Sequence, residues 1–239
     1  MIAVTVVTPS YRHLEKEWVK RVKKHTGLPI KIIRCSDKEG FKTKLNLDKL
    51  CGRQQIVFAD VDLWFCQHVD FTKWDKTCWF AVQDAGVYNP QIFPRQDCEL
   101  YRMDIHRYFN SGLMIINLAI QSHREVFKKA RLLSKQMEMG VLPNQFYDST
   151  DQSLLNLAVQ KIGVNLSMLP QKFNYYHKNW EWGQVETIPR GIIGLHAAGY
   201  KLEEKLEALQ MQEKVLCNIQ RPMWPDAIHM RYAKIFDMA

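Results

Sequence analysis

Short apolar runs alternate with longer amphipathic stretches through the first sixty residues. Ile2 to Thr8 is rich in β-branched residues and predicts a strand, closed by Pro9-Ser10-Tyr11. His13 to His25 puts Leu14, Trp18 and Val22 at helical spacing, and Gly27 and Pro29 end that helix. Ile30 to Arg34 predicts a second strand, and Thr43 to Cys51 a helix stopped by Gly52. A third strand opens at Gln55, where Ile56-Val57-Phe58 suits burial on both faces of a sheet. This β-α-β-α-β order argues for parallel strands joined by right-handed crossovers.

The pattern is less regular from there. Trp79 to Gln83 predicts a strand, while residues 87 to 108, with Pro90 and Pro94, predict a long loop. Tyr108 to Leu118 is a strand whose start holds Asn110, Ser111 and Gly112; the glycine either lets a ligand approach the backbone or relieves a bulge. Gln121 to Met139 and Thr150 to Ile162 are amphipathic helices, followed by a strand at Val164 to Leu169. An aromatic stretch, Tyr175 to Trp182, precedes a last strand, Gly191 to Leu195, which delivers His196. Leu202 to Leu216 predicts a helix with Leu202, Leu206, Leu209 and Leu216 on one face, and a terminal helix starts near Asp226. The expectation is one α/β domain over residues 1–217 and a helical tail at 218–239.

Candidate chemistry gathers where the third strand stops. Asp60 and Asp62 follow the apolar run with Val61 between them, so in extended chain both carboxylates face one spot past the strand's carboxyl end. Open α/β sheets bind ligands at that edge. Two like charges so close repel unless a cation or a shared proton intervenes, and oxygen ligands favour Mg²⁺ or Mn²⁺; a solvated turn is the plain alternative. Tyr11, beyond the first strand on the same edge, fits either stacking on a flat base or loop packing. Asp151 opens a helix, where a carboxylate also serves as a cap.

Composition narrows the class. The formal net charge of +8 comes from Lys and Arg spread along the chain, so a solvated surface is favoured over a nucleic-acid site. The six cysteines show no C-x-x-C and no zinc spacing, which fits free thiols in a reducing compartment. No stretch approaches the roughly 20 apolar residues of a membrane span, and the apolar N-terminus lacks the basic flank of a signal peptide. A cytoplasmic protein is expected, with peripheral contact to a membrane surface left open.

Several separated segments carry a resemblance. F-A-D-V-D at 58–62, F-N-S-G-L-M-I-I-N-L at 109–118, D-Q-S-L-L-N at 151–156, L-P-Q-K-F-N at 169–174 and G-L-H-A-A-G-Y-K at 194–201 occur in the order found in family 8 glycosyltransferases, the retaining group that includes glycogenin. Lys44, 16 residues before Asp60, also matches. The chain therefore resembles that family over roughly residues 1 to 201. The resemblance implies a GT-A fold, a Rossmann-like mixed sheet with helices on both faces. It also implies Mn²⁺-dependent transfer of a sugar from a UDP-sugar to a glycan, glycolipid or protein acceptor, with retention. It would make Asp60, Asp62 and His196 the metal ligands, Mn²⁺ being the expected ion and Mg²⁺ the alternative. It would place Asp151, Gln152 and Asn110 at the reaction centre, and Thr8, Tyr11, Lys44, Asp84, Ser111, Gly199 and Lys201 around the donor.

Departures from the family pattern are specific. The late motif runs from His196 to Lys201, one residue shorter than the family's H-x-x-G-x-x-K. Ser153 stands where the family often has an acid, and Trp64 where it often has an aliphatic residue. Rival readings explain less. A dehalogenase-type phosphatase carries its D-x-D on the first strand, and a sugar nucleotidyltransferase needs a glycine-rich loop where this chain has Thr8 to His13. A carbohydrate-binding scaffold on the same fold is the non-enzymatic alternative.

Overall fold

The computed structural model describes residues 1–91, 93–141, 151–176 and 190–214. Six strands form the central sheet: β1 (Ile2–Val7), β2 (Ile30–Arg34), β3 (Gln55–Ala59), β5 (Trp79–Gln83), β6 (Phe109–Asn117) and β7 (Leu166–Leu169), in the order β2-β1-β3-β6-β5-β7. β1 pairs in parallel with β2 and β3, and β5 with β7. Among the described residues β6 alone runs antiparallel in this sheet, between β3 and β5. Its reversal puts its first residues, Phe109 to Gly112, beside the carboxyl ends of its neighbours. A second, two-stranded sheet pairs β4 (Leu63–Phe65) with β8 (Gly194–His196).

Alternation along the strands explains the two covered faces. Ile56 and Phe58 of β3 join a core with Val126, Phe127, Leu154 and Val159, from α5 (Gln121–Glu138) and α6 (Asp151–Ile162). Val57 and Ala59 point the other way, into a core with Leu14, Trp18 and Val22 of α1 (Arg12–Thr26). Residues one apart face opposite sides of a strand, so a continuous apolar run is what burial on both faces requires. A smaller cluster under β4 and β8 holds Trp64, Leu195 and Leu209; the last lies on α7 (Lys205–Gln212), entered through a single turn, Leu202–Glu204. The bulky Trp64 is thus a core side chain, with the Arg21 guanidinium 4.3 Å above its ring.

The expected loop at 87–108 is corrected by the structure. It contains α4 (Phe93–Tyr101), between the turns Ala85–Tyr88 and Ile105–Arg107. Pro94 lies in the helix's first turn, where a missing N–H breaks no helical hydrogen bond, so this proline does not mark a loop. α4 is pinned from within: the fully buried Asp97 carboxylate accepts from Ser153 Oγ, which lies 3.0 Å from Tyr108 Oη. The expected helix over Thr43 to Cys51 is instead two short ones, α2 (Gly40–Lys44) and α3 (Leu47–Leu50). Arg131 donates to the Leu45 carbonyl at 2.8 Å and Asn46 Nδ2 to that of Lys42 at 2.8 Å, so side chains satisfy acceptors that a continuous helix would use itself. The last strand begins at Gly194 rather than Gly191, whose φ of 65° is incompatible with a strand. The C-terminal tail, Leu216 and most of the aromatic stretch after Tyr176 lie outside the described residues.

Two buried imidazoles give the fold a pH response. Burial lowers the pKa of His25, helped by Lys24 and Arg21, and burial lowers that of His123 against a hydrogen bond to the Asn117 carbonyl. Below the ordinary histidine pKa of about 6.5 the unfolded chain takes up protons that the folded chain refuses, so these groups make stability fall as pH drops. Urea unfolding at about pH 7.5 and 5.5 should show that loss, and His123→Gln should reduce it. A slope unchanged by His123→Gln would rule out His123 as a contributor.

Candidate active site

The site is built where β3 ends. The Asp60 amide donates to the Gly112 carbonyl at 2.9 Å, and the Leu63 amide returns to the Asp60 carbonyl at 2.9 Å, so Asp60 to Leu63 form a tight turn. β4 leaves that turn and pairs antiparallel with β8, Leu63 opposite His196. The ladder continues one step, from the Ala197 amide to the Asp62 carbonyl at 3.0 Å, while the His196 amide donates to the Tyr175 carbonyl at 2.8 Å. Backbone on both sides therefore holds the histidine against the carboxylate pair.

His196 Nε2 lies 3.3 Å from Asp62 Oδ1 and 4.0 Å from Asp60 Oδ2. Among the described residues, Asp60, Asp62 and His196 form the cluster able to hold a metal ion, with ligand atoms all within 4.8 Å of one another. Their mixed oxygen and nitrogen donors are compatible with a divalent first-row ion. A cradle observation supports the fit: a Cβ built on Gly112 would lie 2.4 Å from His196 Cε1. The glycine makes room for the imidazole, a third use beside ligand approach and bulge relief; the β5–β6 register also shifts beside it.

Two buried lysines flank the carboxylates. Lys44 Nζ donates to Asp60 Oδ1 at 3.1 Å and to Ser111 Oγ at 3.0 Å, and lies 2.9 Å from Asp151 Oδ2. Burial opposes its charge, but Asp151 and Asp60 hold its pKa above the ordinary lysine value. Lys205 Nζ donates to Asp62 Oδ2 at 2.7 Å and to the Ala197 carbonyl at 2.6 Å. Burial pushes the Asp62 pKa up, and His196 and Lys205 together outweigh it, leaving the carboxyl below its usual range. Asp60 is raised, by burial first and by Asp62, against Lys44 and His196.

The other predicted residues divide by place. Asn110, Ser111, Asp151, Gln152 and Asp84 line one cleft of about 680 Å³ with Thr8, Tyr11, Lys44, Gly199 and the three candidate ligands. Asp84 is saturated: Oδ1 accepts from the Gly86 amide at 2.8 Å and Tyr176 Oη at 3.1 Å, and Oδ2 from Gln152 Nε2 at 2.9 Å and Asn110 Nδ2 at 3.3 Å. Gln152 Oε1 in turn accepts the Ser111 amide at 3.2 Å. Burial raises the pKa of the Tyr11 phenol, whose ring lies 5.8 Å from Lys205 Nζ. Lys201 is placed apart from these residues, with a side chain 75% exposed and 4.0 Å from Glu204. The late lysine that meets Asp62 is Lys205, which the motif pattern does not include. Its signal in the sequence is only an isolated cation at the start of a helix of mixed polarity.

No protein-family profile and no curated protein sequence matches the chain. Solved structures do. Galactosyltransferase LgtC, in complex with donor and acceptor sugar analogs, superposes with a TM-score of 0.61 over 88% of this chain and 96% of its own, at 15% identity. The bifunctional glycosyltransferase WbbM gives 0.62 over 90% of this chain and 51% of its own, at 12% identity. The glycosyltransferase GlyE of Streptococcus pneumoniae TIGR4 gives 0.55 over 91% and 63%, at 13% identity. The fold is GT-A. At these identities the likeness concerns architecture, and the chemistry is argued from this chain's own residues.

Proposed function

We propose that this protein is a retaining, metal-dependent glycosyltransferase of the family 8 type, transferring a sugar from a UDP-sugar to a saccharide or glycoconjugate acceptor. The observation that carries this reading is the convergence of Asp60, Asp62 and His196 at the sheet's carboxyl edge, inside a cleft floored by Lys44, Asp151 and Gln152. A divalent ion held by those three residues, Mn²⁺ by their donor set, would neutralise charge on the departing diphosphate.

The chain's own groups divide the remaining work. Lys44 and Ser111 hold Asp151 Oδ2 at 2.9 and 2.7 Å, which keeps that carboxylate oriented in the cleft as the partner of a developing oxocarbenium charge. Asn110, Ser111 and Gln152 offer amide and hydroxyl groups near the donor sugar. Thr8 and Tyr11 line the cleft toward the uridine, and Gly199 borders it beside the metal site. Lys201 is proposed to reach the diphosphate only by moving from its surface position. The free cysteines among the described residues support a reducing, cytoplasmic setting. No helix among those residues is long and apolar enough to cross a membrane.

Calorimetry with UDP, ADP and GDP in excess Mn²⁺ tests the donor class, and a panel of UDP-sugars assayed for Mn²⁺-dependent hydrolysis tests activity without an acceptor. UDP is expected to bind at least about tenfold more tightly than the others, a difference near 1.4 kcal/mol. Equal affinity for all three diphosphates sinks the uridine reading.

A further inference from the structure

We infer that Asn174 is a positioning residue for the metal site, holding His196 in the tautomer that turns the Nε2 lone pair toward Asp60 and Asp62. The inference rests on the metal reading above and adds to it a residue and a device. Neither ring nitrogen of a histidine is a ligand by itself; the hydrogen bond made by one decides whether the other has a lone pair to give.

Four side chains form a line from Asp84 to the imidazole. Asn110 Nδ2 donates to Asp84 Oδ2 at 3.3 Å, Asn174 Nδ2 donates to Asn110 Oδ1 at 2.9 Å, and His196 Nδ1 lies 2.9 Å from Asn174 Oδ1. All four residues are buried, Asn174 to 1% exposure. Each amide could in principle be turned round, so direction must come from groups of fixed polarity. Two such groups are present. Asp84 accepts hydrogen bonds from four directions, among them the Gly86 amide, a fixed donor at 2.8 Å. The Gly112 amide can only donate, and it donates to Asn110 Oδ1 at 2.9 Å. Asn110 is therefore fixed with its oxygen toward Gly112 and Asn174. Asn174 must answer with its NH₂, which leaves its oxygen toward the ring. His196 Nδ1 must then carry a proton, so Nε2, the atom 3.3 Å from Asp62, is the nitrogen left to give its lone pair to an ion that binds there. Reversing an amide would set two donors or two acceptors against each other inside a buried chain.

The same line gives Asp84 a task at a distance. Its four acceptor contacts are filled by protein donors, so it acts as the anchor that sets the direction of the chain. Asn174 lies just before the isolated bridge at Tyr175, which pairs with Leu195. One short segment thus holds the histidine by backbone and by side chain together.

The test reads the tautomer directly. Metal-free protein labelled with ¹⁵N-histidine should show His196 with a protonated Nδ1. In Asn174→Leu, close in size but unable to accept, the resonances should move toward the Nε2–H form or a mixture. Mn²⁺ affinity by electron paramagnetic resonance should fall by about 10–100-fold, the usual range for an outer partner of a ligating histidine. Wild-type protein with no proton on Nδ1 overturns the inference even if no variant folds. So does an Asn174→Leu protein that keeps both the Nδ1–H signature and wild-type Mn²⁺ affinity. If wild-type protein binds no Mn²⁺, the metal reading fails, while the nitrogen spectra still decide what Asn174 does to the ring.

Discussion

Lys44→Met is expected to destabilise the protein by about 3–5 kcal/mol at neutral pH, the range for removing one partner from a buried ion pair. Methionine nearly fills the volume, so the loss isolates charge. Lys44 has a side chain only 6% exposed and serves Asp60 and Asp151 together. Without it two carboxylates face one another across a low-dielectric floor, and Ser111 Oγ loses a donor at 3.0 Å. Asp60 is about a third open to the cleft, which limits its share of the penalty, so most of the loss should fall on Asp151. Urea unfolding would measure the change as a shift in midpoint at constant slope. If Asp60 ligates Mn²⁺, excess Mn²⁺ should restore part of the loss by binding the folded state. A loss under about 1 kcal/mol would show that Lys44 contributes no more than a surface ion pair.

Gly112→Ala is expected to lower metal-dependent UDP affinity by on the order of 100-fold, comparable to disrupting a partner of a ligating histidine. The added Cβ would meet His196 Cε1 at 2.4 Å, and His196 Nδ1 and Asn110 Oδ1 each at 2.8 Å. β6 is held by β3 on one side and β5 on the other, so the ring yields before the strand does. Overpacking of this kind costs about 1–3 kcal/mol of stability. The double variant Gly112→Ala/His196→Ala separates the two effects: removing the ring should return part of the stability, the contact with Asn110 Oδ1 remaining, and leave the affinity lost. Wild-type Mn²⁺ and UDP binding by Gly112→Ala would exclude the close fit of ring on strand.

Much of this site is legible in the amino-acid sequence itself, for reasons that differ by residue. Asp60 and Asp62 stand out because an apolar run buried on both faces ends in two carboxylates, although a tight turn from Asp60 to Leu63, not the extended chain expected, holds them there. Lys44 and His196 stand out through motif order, and the cleft brings both to that pair. β4 is invisible in the pattern: three residues after a turn carry no periodicity, yet its pairing with β8 places the histidine. α4 reads as a loop if two prolines are counted as breakers, although Pro94 sits where a helix tolerates one. Motif spacing points to Lys201 rather than Lys205, because spacing does not say which side chain a new helix turns inward. Asn174 looks like the end of a turn, and only its place between Asn110 and His196 shows what its amide does.

The pairing of β4 with β8 also sets an order of events during synthesis. Asp62 and the lysine that neutralises it are separated by 143 residues, and His196 is nearly as far along the chain. Contacts of such separation close late, because their loop entropy is spent before the contact is made. While the ribosome is still making the middle of the protein, the acidic pair can exist with Lys44 beside it but with neither its imidazole nor its second ammonium. A nascent chain halted near residue 190 would hold an unfinished half-site, and if the finished site takes a divalent ion, affinity for it would emerge only when β8 docks. Metal capture would then report that β8 has been made and has found its partner.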